Sequence, residues 1–96
     1  MCEIYARQDP KRYELTSRSL RIDGYSTSIR LENAFWDVLE RMAQSEGRTL
    51  NDLIATLHRE ASGDRNVPRN FTSVLRSSCL IYLEGTDQGR RDSEAA

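Results

Sequence analysis

The chain has 96 residues, enough for a single domain whose own core would be thin. Fourteen basic residues face fifteen acidic ones for a formal net charge of -1, which argues against a bulk polyelectrolyte binder. The hydrophobic share of 38% allows something to be buried, and no stretch reaches the roughly 18 consecutive apolar residues that a membrane span needs.

Residues 1–17 are mixed, polar and broken by Pro10, and read as an arm of low regularity. From Arg18 the pattern changes to alternation. Leu20 and Ile22 alternate with Ser19, Arg21 and Asp23, and Thr27, Ile29 and Leu31 alternate with Ser26, Ser28 and Arg30. Asp23-Gly24 between the two runs is a two-residue hairpin signal. With that turn, Ile22 pairs with Tyr25, Leu20 with Thr27 and Arg18 with Ile29. The apolar side chains then share one face, and Ser19, Arg21, Ser26, Ser28 and Arg30 share the other. Turn and hydrophobic pattern ask for one register.

Asn33 offers an N-cap to a first helix, and Phe35, Val38, Leu39, Met42 and Ala43 form its stripe. Gly47 suits a left-handed stop. Thr49 can cap a second helix, with Asp52 three residues on as a looser capping box, and Leu50, Leu53, Ile54 and Leu57 supply the apolar face. Ser62-Gly63-Asp64 ends that helix, a loop containing Pro68 runs to Asn70, and a third helix extends from about Asn70 to Leu83 with Phe71, Val74, Leu75, Cys79 and Tyr82 on one side. Residues 84–96 read as a flexible polar tail. Cys2 and Cys79 give neither a metal spacing nor a disulfide framework; Cys79 reads as a buried small hydrophobe. Cys2 follows no signal peptide, so a cytoplasmic protein without a lipid anchor is expected.

The stretch "STSIRLENAFWDVLERMAQSEGRTLNDLIATL", Ser26 to Leu57, resembles a ribbon-helix-helix domain of the Arc and MetJ type. An alternating strand, a helix of about four turns, a Gly-x-Ser/Thr-hydrophobic-Asn turn ("GRTLN") and a second amphipathic helix carry the resemblance. It implies a mainly α fold with a short β ribbon: a ribbon-helix-helix homodimer, with higher oligomers on DNA an option, carrying an extra N-terminal hairpin strand and an extra C-terminal helix on residues 18–83. It implies duplex DNA as partner, with the ribbon in the major groove and Ser26, Ser28 and Arg30 reading base edges. It further implies that Arg48, Thr49 and Asn51 present the second helix's N-terminus to a phosphate. Arg30 can bind guanine bidentately, and free N–H groups at a helix start favour an anion. A shared dimer core of Ile29, Leu31, Phe35, Leu39, Leu53 and Leu57 is expected.

Each role has a plainer rival. Arg30 suits a solvated strand face, Thr49 and Asn51 suit simple capping, Trp36 suits packing and His58 a half-buried helix edge. No nucleophile–base–acid set, metal cluster, cofactor motif or Gly-rich phosphate loop stands out, so a non-enzyme is expected. The extra strand widens the sheet. Two paired hairpins make a sheet roughly 15 to 19 Å across, against a major groove of about 12 Å. Either that strand peels away, or it rides over the backbone with Arg18 and Arg21 on phosphates, or the sheet is not used on duplex DNA at all. The alternative function is a dimeric binding module for a partner protein or a small anionic ligand.

Overall fold

Asp23 and Gly24 both take positive φ, 50° and 85°, the backbone of a two-residue hairpin turn whose twist matches its strands. Around this turn the computed structural model, which describes residues 6–63 and 70–95, pairs β1 (Leu15–Ile22) with β2 (Tyr25–Glu32) in antiparallel fashion. The register is the expected one, with Ile22 opposite Tyr25, Leu20 opposite Thr27 and Arg18 opposite Ile29. β1 begins at Leu15 rather than Arg18, because Leu15, Thr16 and Ser17 still find partners in Glu32, Leu31 and Arg30. The arm expected over residues 1–17 is correspondingly shorter, and Cys2 lies outside the described residues. Within the arm Pro10–Arg12 form one 3-10 turn, and the Lys11 carbonyl accepts a hydrogen bond from Asn33 Nδ2.

Three helices follow: α1 (Asn33–Ser45), α2 (Leu50–Ser62) and α3 (Phe71–Ala95). Asn33 is the first residue of α1 and not its cap, a position taken by Glu32. The Asn33 carboxamide instead accepts from the Thr16 hydroxyl and donates to Lys11, tying β1 and the arm to the helix start. Gly47, with φ 67°, ends α1: its N–H reaches the Gln44 carbonyl at 3.1 Å, while the Arg48 N–H reaches Ala43 at 2.9 Å. This pair satisfies carbonyls that a helix end otherwise orphans. Thr49 caps α2 as expected, its hydroxyl accepting from the Asp52 N–H at 3.1 Å. α2 closes at Gly63. The expected loop, Pro68 included, falls mostly outside the described residues. α3 runs past Leu83 to Ala95, so the segment expected as a flexible tail continues the helix. No proline interrupts it, and extending a packed helix costs far less than nucleating one. No helix among the described residues is long and apolar enough to cross a membrane.

The core lies between the apolar face of the hairpin and the helices. Leu31, Leu39, Ile54, Leu75 and Cys79 are wholly buried and Trp36 nearly so. The Trp36 indole N–H donates to the Thr16 carbonyl at 2.9 Å, which confirms its packing role. Burial pushes the Cys79 thiol up to about 11. α3 closes this core within one chain. Ile29, Leu31, Leu39 and Leu53 are buried without a partner, and only Phe35 and Leu57 of the expected shared set remain partly open. A second copy is therefore not what covers these side chains, because Leu75 and Cys79 of α3 join the same cluster.

Two arginines brace the layers. Arg18 pairs with Glu40 at 2.8 Å and lies 5.0 Å over the Trp36 ring. Arg76 donates to Glu32 from Nη2 at 2.9 Å and from Nε at 3.2 Å, and sits 5.9 Å from the Phe35 ring. Partial burial raises the Glu32 pKa, but its own backbone N–H and Arg76 outweigh that and hold it below the ordinary 4.5. A carboxylate depressed on folding adds stability that is complete above its ordinary value and is lost as pH falls through the folded value. Urea midpoints measured as pH drops below 4.5 should fall more steeply for wild type than for Glu32→Gln, by on the order of 1 kcal/mol in all. Parallel curves for the two proteins would contradict this brace.

Candidate nucleic-acid interface

The solvent face of the hairpin carries Ser17, Ser19 and Arg21 from β1 and Ser26, Ser28 and Arg30 from β2, all exposed. None of the six side chains makes a hydrogen bond or ion pair among the described residues. Cross-strand partners on this face are Arg21 with Ser26, Ser19 with Ser28 and Ser17 with Arg30. The result is a polar strip of hydroxyls with a guanidinium toward each end, free to engage a ligand.

The two edges of the sheet differ. In an antiparallel ladder, alternate residues turn their main-chain groups inward to the neighbour or outward to the edge. The two-residue turn makes Ile22 and Tyr25 an inward pair, so Ser17, Ser19 and Arg21 on β1 and Ser26, Ser28 and Arg30 on β2 face outward. On β1 that edge is occupied at Arg21, next to the turn, while the outward groups of Ser17 and Ser19 have no partner among the described residues. The Arg21 N–H donates to Asn51 Oδ1 and the Asn51 Nδ2 donates to the Arg21 carbonyl, both at 2.8 Å. The carboxamide thus imitates a neighbouring strand. On β2 the outward groups have no partner among the described residues, since the sheet holds two strands.

The same pair of hydrogen bonds sets the start of α2 beside β1. Its first donors are partly spent: the Asp52 N–H goes to the Thr49 hydroxyl and the Leu53 N–H to the Thr49 carbonyl. The N–H groups of Thr49, Leu50 and Asn51 stay without acceptors among the described residues, at the positive end of the helix dipole.

Three residues of the expected contact set make side-chain contacts within the chain. Arg18 stands on the helix side of the sheet, opposite Ile29, and is held by Glu40. The register already pointed that way. The Arg48 side chain turns back along α2, donating to the Thr56 hydroxyl at 2.8 Å and lying 3.5 Å from the Glu46 carboxylate, and its N–H closes α1. The Asn51 side chain positions α2 and is not free to meet a phosphate. His58 lies edge-on to Phe71 with ring centroids 5.1 Å apart and its Nδ1 3.9 Å from the Asp23 carboxylate, between α3 and the hairpin turn. Among the described residues no group of three His, Cys, Asp or Glu could hold a metal ion.

A β ribbon with one polar face, followed by two helices joined at a glycine-ended turn, is the framework of ribbon-helix-helix proteins. The ribbon-helix-helix domain family matches residues 15–83, and the chain belongs to it. The match spans both strands of the hairpin and the core-forming part of α3, so neither is an appendage. Members of the family are typically DNA-binding transcription regulators and generally not enzymes. Among solved structures the chain is similar to an uncharacterized protein from Bordetella pertussis Tohama I, with 44% identity, a TM-score of 0.83, and coverage of 93% of this chain and 71% of that one. No curated protein matches.

Asn51→Ala should cost about 1–3 kcal/mol by urea titration, from two hydrogen bonds and the exposed edge they cover. It should also speed amide exchange at Arg21 while leaving Leu20, which faces Thr27, protected. Thr49→Ala should cost about 1 kcal/mol through the lost cap. Unchanged exchange at Arg21 in the Asn51 variant would show that the edge is not held this way.

Proposed function

We propose that the protein is a dimeric DNA-binding transcription regulator that presents the outward side chains of β2 to the major groove. The observation that supports this reading best is the free strip of Ser26, Ser28 and Arg30 beside an open β2 edge. Pairing β2 with its copy gives the strand order β1-β2-β2-β1. Both copies of Ser26, Ser28 and Arg30 then run down the middle of one face. Arg can bind guanine bidentately, and Ser can donate or accept at any base pair.

The width of that sheet defines how it meets DNA. Peeling β1 away would break the Asn51 and Trp36 bonds to its main chain and the Arg18–Glu40 pair. β1 therefore stays. Its copies lie about 14 Å apart, three strand spacings, where the groove is about 12 Å wide. They ride over the groove rims, and Arg21 with the open amides of Thr49, Leu50 and Asn51 meets the phosphates there. The central strip is left to the bases. The net charge of -1 sits away from this strip, so binding depends on the local arginines and on few phosphate contacts.

Selection from a random duplex library, with wild type, Arg30→Ala and Arg21→Ala, tests the reading. Wild type should yield a two-fold symmetric motif. Arg30→Ala should lose about 1–3 kcal/mol on it and relax one position in each half-site. Arg21→Ala should weaken all sequences about equally and reduce the salt slope by roughly one. If no symmetric motif emerges, or if it survives Arg30→Ala intact, the strip does not read bases.

A further inference from the structure

Two exposed apolar features have no account within a single chain. Tyr25 opens β2 on the helix side of the sheet, opposite Ile22, yet it is 77% exposed. On α3, Leu80 is 58% and Leu83 38% exposed. Arg76 fixes where these leucines point. Residues at i, i+4 and i+7 share one helix face, and Arg76 at the first of these positions reaches Glu32 at the end of β2. α2 lies over β1, while α3 lies against α1, α2 and β2. The Arg76–Leu80–Leu83 stripe thus begins at Glu32, the end of β2 distant from Tyr25.

A two-fold axis carries one end of β2 to the other. It must leave outward side chains outward, so it passes through a residue of the strand and not between two. With the axis at Ser28, Tyr25 stands opposite the partner's Leu31; with the axis at Ile29, it stands opposite the partner's Asn33. In both registers Tyr25 arrives at the Glu32 end of the partner's β2, the end that the partner's Arg76 reaches from α3.

We infer that Tyr25 is the anchor of the dimer interface and that its site is the Arg76–Leu80–Leu83 stripe on the partner's α3. The inference rests on the β2-paired dimer proposed above and adds the side chains that hold it. The ring offers apolar area to the two leucines and a π face to the guanidinium, and its hydroxyl stays at the wet rim. Two-fold symmetry makes the contact twice. It also explains why α3, having closed its own core, still exposes leucines on this side.

Sedimentation equilibrium of the full chain tests this with wild type, Tyr25→Ala, Leu80→Glu and Ile81→Glu. Ile81 is 68% exposed but lies five residues from Arg76, about 140° around the helix, and serves as control. All three side chains are exposed in one chain, so far-UV circular dichroism should not change. Tyr25→Ala and Leu80→Glu should each raise the dimer dissociation constant about tenfold or more, as loss of a central anchor does. Ile81→Glu should stay within about twofold of wild type. A dimeric wild type whose constant is unmoved by Tyr25→Ala and Leu80→Glu, or moved as far by Ile81→Glu, overturns the inference and leaves the paired strands standing. A wild type that is monomeric at micromolar concentration removes the dimer itself and the inference with it.

Discussion

The carboxamide of Asn51 occupies both outward main-chain groups of Arg21, and this pair of 2.8 Å hydrogen bonds covers β1 at the turn end of the sheet. An uncovered edge strand invites pairing along its whole length. By covering β1 at Arg21, Asn51 leaves β2 as the strand whose outward groups are bare at Ser26, Ser28 and Arg30, while those of β1 are bare at Ser17 and Ser19 only. It also holds the hairpin to the start of α2, so that the polar strip and the unspent amides of Thr49, Leu50 and Asn51 belong to one rigid unit. Backbone placement on this scale is what a protein needs if phosphate contacts are to set the position of base-reading side chains.

The third helix alters the logic of the small domain. A strand and two helices from one chain bury little, and dimerisation ordinarily supplies the remainder of such a core. Here Leu75 and Cys79 complete the cluster around Trp36, Leu31 and Leu39 in a single chain. A dimer of this chain would not be needed to bury the core, and its interface could be smaller and more selective. Arg76 extends the reach of α3, since it braces the end of β2 through Glu32.

Charge follows the same division. Arg18, Arg48 and Arg76 are engaged by Glu40, Glu46 and Glu32, whereas Arg21 and Arg30 have no acidic partner among the described residues. The overall balance of fourteen basic and fifteen acidic residues therefore hides a local excess of positive charge on the outer sheet face. Exposed charges beyond a Debye length, about 8 Å at physiological salt, are largely screened, so a local pair of guanidinium groups matters more to a bound phosphate or base than the sum over the chain.

The hairpin register, the glycine stop at Gly47, the Thr49 cap, the apolar stripes and the outward side of Ser26, Ser28 and Arg30 were all determined by the sequence itself. They follow from rules that act over a few residues: alternation in strands, helical spacing, and turns that demand positive φ. The short-range signals failed where a partner came from farther away. The extra strand residues Leu15 to Ser17 and the displacement of Asn33 from its cap depend on neighbours that local patterns do not name. Only the tertiary structure decided that Asn51 binds a strand 30 residues away, that Arg18 finds Glu40 at 22, and that Arg76 finds Glu32 at 44. A side chain's type and spacing set what it can bond to, but whether it is free or engaged is settled by which distant elements the packed core brings within about 3 Å.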